Sequence, residues 1–220
     1  MSQHEADATT DRSTFVPPAA PCPLPAARPD QDSPFGVDLG VNMTTIDRYL
    51  GRSDVAYRDA RMLHDPADFS ATGGESELTS VLEGFKVAPY PYLGSIRDLP
   101  VPGVYDGPRL YDLTWDDTGA IASATPRYEE SLAILEDVFP RDQAVFIACG
   151  AGAYAGMARD LLAFLGWDPS RLYNVGGVWG YAGAHAIDLT YGPEGDRRVA
   201  AWRVEGVALE FDRLHPVAGR

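Results

Sequence analysis

Cys149 closes the apolar run QAVFIAC, and Gly150, Ala151, Gly152, Ala153 and Tyr154 follow it, with Gly156 two positions further on. Two chemistries use a glycine-rich turn between a strand and a helix. Backbone N–H groups at the start of the helix can cradle a phosphate, or they can hold a cysteine thiolate at the carboxyl end of the strand. For Cys149 those groups favour an anion in either case, whether thiolate, persulfide or bound oxyanion. Glycine and alanine at 150–153 let the loop curl without side-chain obstruction. A small core cysteine accounts for Cys149 itself, but not for the glycines beyond it.

The nucleotide alternative fails on what comes next. Gly150, Gly152 and Gly156 form a G-x-G-x-x-x-G, but a dinucleotide fold needs an acidic residue at the end of the next strand to hold the ribose. The next strand here is LYNVGG, ending in Gly176 and Gly177. No Lys-Ser or Lys-Thr closes the loop, so it is not a Walker loop either.

The elements that must position Cys149 can be read along the chain. QAVFIAC is the continuous apolar run of a strand covered on both faces. A helix from about Gly152 to Leu165 follows it and ends at Gly166, and LYNVGG makes another buried strand. Strand, helix and strand in this order predict a right-handed parallel crossover. Upstream, residues 54–62 (DVAYRDARM) read as a strand. EGFKVAPYPYL reads as a turn and a short extended segment that Pro89 and Pro91 restrict to a sheet edge or the end of a strand. Residues 108–124 alternate around Asp-Asp-Thr-Gly as a hairpin. A helix capped by Thr125, with Pro126 in its first turn, runs to Pro140 and buries Leu132, Leu135, Val138 and Phe139. Near the C-terminus, VAAWRVEGVALEFDRL alternates with Val207, Leu209 and Phe211 on one face, as an antiparallel appendage.

Composition bounds the rest. Seven of the 18 prolines fall before residue 35, mixed with Ala, Asp, Ser and Thr. Residues 1–41 therefore read as a disordered tail, 42–190 as the domain and 191–220 as the β appendage. A net charge of −14 opposes nucleic-acid binding and adhesion to anionic lipid. No apolar run is long enough for a transmembrane segment, and no secretory signal is visible, so the cytoplasm is the default location. Two cysteines and four scattered histidines offer no metal-ligand spacing, so neither metal nor cofactor is expected. Cys22 lies among prolines and reads as an idle exposed thiol. The tail after it, extended, spans roughly 60 Å and reaches any site on the domain, which puts a Cys22–Cys149 cross-link within reach under oxidation.

VFIACGAGAYAGMARDLLAFLGWDPSRLYNVGGVWGY resembles the active-site half of a rhodanese domain. The matching features are the strand that delivers a cysteine into a short loop, a helix ending in Leu165-Gly166, and Gly176-Gly177 ahead of the aromatic Trp179. VAYRDARM is similar to the family's early Asp-x-Arg strand, which places Asp59 and Arg61 as residues supporting the loop. Gly84 and Pro89 fall on the family's glycine and proline. The resemblance covers about residues 43–190, with residues 93–124 as an insertion, and is closest to a bacterial subgroup that includes envelope lipoproteins. It therefore keeps the cell envelope open as a location. It implies an α/β parallel sheet flanked by helices and a sulfurtransferase that passes sulfane sulfur from a small donor to a thiol acceptor through a persulfide on Cys149. The loop departs from the pattern: Tyr154 stands at the usual arginine position. Ala155 stands where the related phosphatases need arginine, which speaks against phosphatase activity. The missing cation motivates the alternative of a catalytically silent rhodanese module that binds an anion or a protein partner.

Overall fold

Ala144–Cys149 (β6) is buried at all six of its positions, as its unbroken apolar sequence requires, and the sheet is built around it. The computed structural model describes residues 22–62, 78–97, 105, 107–193, 198–200 and 203–219. On its two sides β6 pairs with Val55–Asp59 (β1) and with Leu172–Gly177 (β7), both parallel. Lys86–Val87 (β3) pairs with the outer side of β1, giving a four-stranded parallel sheet in the order β3-β1-β6-β7. Only Lys86–Val87 of the expected extended segment is a strand, at a sheet edge; Tyr90–Leu93 forms a short helix instead, because Pro91 suits a first helical turn as well as a strand end.

Strand periodicity divides the core. Val145, Ile147 and Cys149 face a cluster built by the helices Tyr90–Leu93 (α1), Ser131–Val138 (α2) and Ala153–Phe164 (α3). Ala144, Phe146 and Ala148 face the other cluster, where the Phe146 ring meets Tyr57 at 5.6 Å and Tyr173 at 4.9 Å. The architecture is therefore mixed α/β, with a parallel sheet flanked by helices and accompanied by antiparallel strand pairs. These pairs are Tyr111–Trp115 (β4) with Ile121–Pro126 (β5), Ser80–Leu82 (β2) with Ala186–Asp188 (β8), and Thr190–Tyr191 (β9) with Arg198–Val199 (β10).

The hairpin expected at 108–124 is β4–β5, and its turn is held by Asp116, whose carboxylate accepts from Thr118 N at 2.9 Å and Ala120 N at 3.0 Å. Two expectations next to it shift. Thr125 and Pro126 do not open a helix; they finish β5 opposite Asp112 and Tyr111, and α2 starts only at Ser131. Leu132 is consequently exposed, while Leu135, Val138 and Phe139 are buried as the pattern required.

Both ends of the described chain depart from the sequence reading. Residues 22–41, read as tail, run along the edge strand β7. Ala27 N donates to Ser170 O, and Asp38 N donates to Asn174 O, each at 2.8 Å. Asp38 is buried, and its carboxylate accepts from the backbone N–H groups of Arg28, Gly40 and Val41. Side-chain-to-backbone bonds fix this arm, so composition alone did not reveal it. The remainder of the expected tail, 1–21, lies outside the described residues. At the other end, Val207, Leu209 and Phe211 do pack on the helix-side core, but as an irregular arm with a 3-10 turn at Phe211–Arg213. The arm meets β3 in parallel, with Val87 N donating to Glu205 O and Val207 N donating to Val87 O, both at 2.8 Å. Among its described residues, antiparallel pairing is found at its start, in β9 and β10, and in an isolated bridge of Pro216 with Tyr128. Each edge of the parallel sheet thus carries a terminal arm, which blunts its unpaired polar groups.

Candidate active site at the carboxyl end of β6

Cys149 ends β6 at the edge of the sheet where open α/β folds bind their ligands. Its position in the pleat turns the side chain toward the helices. Gly152, at φ +100°, precedes α3 and can hold that backbone only because it lacks a Cβ. The turn aims Gly152 N at the sulfur, 3.0 Å from Sγ. The backbone N–H groups of Ala151 and Ala155 also act on the sulfur and favour its ionised form. Burial opposes them and wins, pushing the Cys149 thiol up, and the carboxylate of Asp59 adds to the rise. Cys149 is 3% exposed.

The loop is clamped from the β7 side. Register slips between Ile147 and Ala148, where a bulge leaves Val175 unpaired, and the strand ends in Gly176 and Gly177 beside the loop. A Cβ on Gly177 would stand 2.4 Å from Gly150 O and 2.6 Å from Ala151 Cα, so only glycine fits this approach. Trp179 N donates to Gly150 O at 3.2 Å, and its indole lies flat against Gly150 while remaining 57% exposed.

Asp59 and Arg61 lie next to the loop strand, since Asp59 is paired with Ala148 and Ala60 N donates to Ala148 O at 2.8 Å. They form an ion pair of 2.6 Å in which both side chains are 0% exposed. Arg61 Nη2 also donates to Ser80 O at 2.6 Å. The guanidinium thus binds the Asp59 carboxylate and the β2 backbone.

Of the remaining loop residues, Gly150 and Gly152 are buried, Ala153 is half-buried and Ala151 is exposed at the crest. Tyr154 does not line the loop mouth. It is 5% exposed in the first turn of α3, with its ring 5.7 Å from that of Tyr90. Cys22 is far from all of them. Arg52 holds its carbonyl beside Asp54, at the amino ends of β1 and β6, and β6 alone separates the two ends by roughly 17 Å. The described structure thus places Cys22 out of reach of Cys149, contrary to the cross-link considered above.

Two contributors escaped the sequence reading. Asn174, inside β7, donates Nδ2 to Gly152 O at 3.0 Å and to Phe35 O at 2.8 Å. Val37 of the N-terminal arm packs against Gly152 and Gly176. The available signal was a lone polar residue in an otherwise apolar strand. Among the described residues no group of three or more His, Cys, Asp or Glu is placed to hold a metal ion, and no helix is long and apolar enough to cross a membrane. No family model, curated protein or solved structure matches this chain.

Proposed function

We propose that this chain is a rhodanese-like sulfurtransferase that carries sulfane sulfur on Cys149. The observation that supports this reading is Gly152 N, 3.0 Å from Sγ in the loop that opens a helix, with the backbone N–H groups of Ala155 and Ala151 also favouring the ionised sulfur. Such donors stabilise charge on sulfur as an oxyanion hole stabilises it on oxygen. The thiolate attacks the transferable sulfur of the donor, and a new S–S bond forms to Cys149. With thiosulfate the donor's S–S bond breaks and its electron pair leaves on sulfite; with mercaptopyruvate the C–S bond breaks and its electron pair leaves on the enolate of pyruvate, which takes up a proton from water. An acceptor thiolate then attacks the outer sulfur of the persulfide, and Cys149 departs as thiolate. Neither step changes the total oxidation state, and neither needs a cofactor. Because burial raises the thiol, ionisation is the part of the cycle the loop must assist.

Mass spectrometry after exposure to thiosulfate or mercaptopyruvate tests the proposal. One added sulfur on the Cys149 peptide, absent in Cys149→Ser, is the expected result. No added sulfur, or sulfur retained in the variant, overturns it.

A second reading, a catalytically silent module of the same family that binds an anion or a protein partner, is favoured by one observation. The guanidinium nearest the loop strand is spent on Asp59, and Tyr154 is turned into the core. Steady-state thiosulfate:cyanide turnover separates the two readings, since the silent module gives none above the Cys149→Ser background.

A further inference from the structure

Asn174 is 1% exposed, and its amide makes three hydrogen bonds. Besides its bonds to Gly152 O and Phe35 O, its Oδ1 accepts from Gly176 N at 3.0 Å, and its main-chain carbonyl accepts from Asp38 N at 2.8 Å. One side chain therefore ties together the Cys149 loop, the glycine end of β7 and the N-terminal arm. Gly152 and Gly176, with φ of +100° and +96°, have no side chains to fix them. The arm approaches so closely that a Cβ on Gly156 would stand 2.7 Å from Phe35 O.

Burying a neutral amide costs free energy unless its bonds are made, and a leucine would fill the same volume without that cost. What the amide adds is position. It grips the carbonyl of the residue whose own N–H reaches Sγ. We infer that Asn174 is a positioning residue for the Cys149 loop, and that through it the arm at 33–38 sets how tightly the loop closes on the sulfur. The inference deepens the sulfur-transfer reading of this site but is measured by alkylation of Cys149, so loss of one leaves the other standing.

The test uses the full chain with Cys22→Ser, following the rate of iodoacetamide alkylation of Cys149 across neutral and alkaline pH. Asn174→Leu removes the amide at nearly constant volume. Asp38→Ala loosens the arm without touching the loop. Val55→Ala, a buried site at the amino end of β1, is the control for general destabilisation. Asp59, whose carboxylate acts on the sulfur, its ion-pair partner Arg61, Tyr90 on α1 and Tyr154 on α3 are unchanged in all three.

Releasing the loop admits water to a sulfur whose burial outweighs its N–H bonds. Asn174→Leu is therefore expected to raise the alkylation rate about tenfold and to lower the titration midpoint of Cys149. Asp38→Ala is expected to shift both in the same direction by less, and it decides the matter alone if Asn174→Leu does not fold. Val55→Ala leaves both unchanged. A parental rate and midpoint in the folded variants overturns the inference, as does the same change in Val55→Ala at matched urea stability.

Discussion

Arg61 and Asp59 hold each other in a bidentate ion pair from which water is excluded on both sides, with Arg61 Nε 3.0 and 3.1 Å from the two carboxylate oxygens. The pair lies one strand away from Cys149 and stiffens the end of β1 that pairs with Ala148. It also removes the neighbouring guanidinium from service as an anion ligand.

Removing one partner strands the other's charge in the core. Asp59→Leu or Arg61→Met alone is expected to lower unfolding stability by about 3–5 kcal/mol, while the double substitution recovers most of the loss. Urea denaturation checks this, and single-variant losses below about 1 kcal/mol would contradict a closed pair.

Cys149 gives stability an alkaline limb. Its thiol is raised in the folded chain, whereas an unfolded cysteine ionises near about 8.5. Above that value the unfolded state binds fewer protons, so stability is full below about 8.5 and falls as pH rises from there toward the folded value. Cys149→Ala should flatten the decline, measured as the urea midpoint against pH in the Cys22→Ser background.

Placing a cation at the position the rhodanese pattern gives to arginine should fail here. Tyr154 is enclosed with Tyr90, so Tyr154→Arg buries a guanidinium in a space shaped for two rings. The expected outcome is a loss of several kcal/mol and no gain in thiosulfate turnover. A variant of parental thermal stability with faster turnover would show that the side chain swings out to the loop.

Oxidation should leave Cys149 reduced within the monomer. Cys22 is exposed and tethered at the opposite end of β6, so peptide maps of mildly oxidised protein should show Cys22 modified or joined to another chain. A Cys22–Cys149 peptide from monomer would require the arm to leave β7.

The centre of the fold was legible because apolar run length, Gly punctuation and helix periodicity agree there: β6, α3 and β7 fall within a residue or two of their expected spans. Pro126 misled because a proline suits a first helical turn and an outer strand equally, and pairing with Tyr111 decided between them. Alternation at 207–211 correctly identified a buried face but could not say what the backbone would pair with. At the site, Cys149 and its glycines announced themselves by type and spacing. Asn174 and the arm did not, because their role rests on contacts between residues 139 positions apart.

That separation gives the protein a birth order. The arm's Phe35 leaves the ribosome long before the strand it must grip, and at about 5–20 residues per second the wait for Asn174 lasts roughly 7–28 s. Throughout that interval the flank of the sheet has no cover and the arm no berth. The stitching of the first described segment onto β7 is therefore a late act of synthesis, followed by the docking of the C-terminal arm on β3. A nascent chain stalled before residue 174 would present its half-built sheet to chaperones, with the thiol still unhoused.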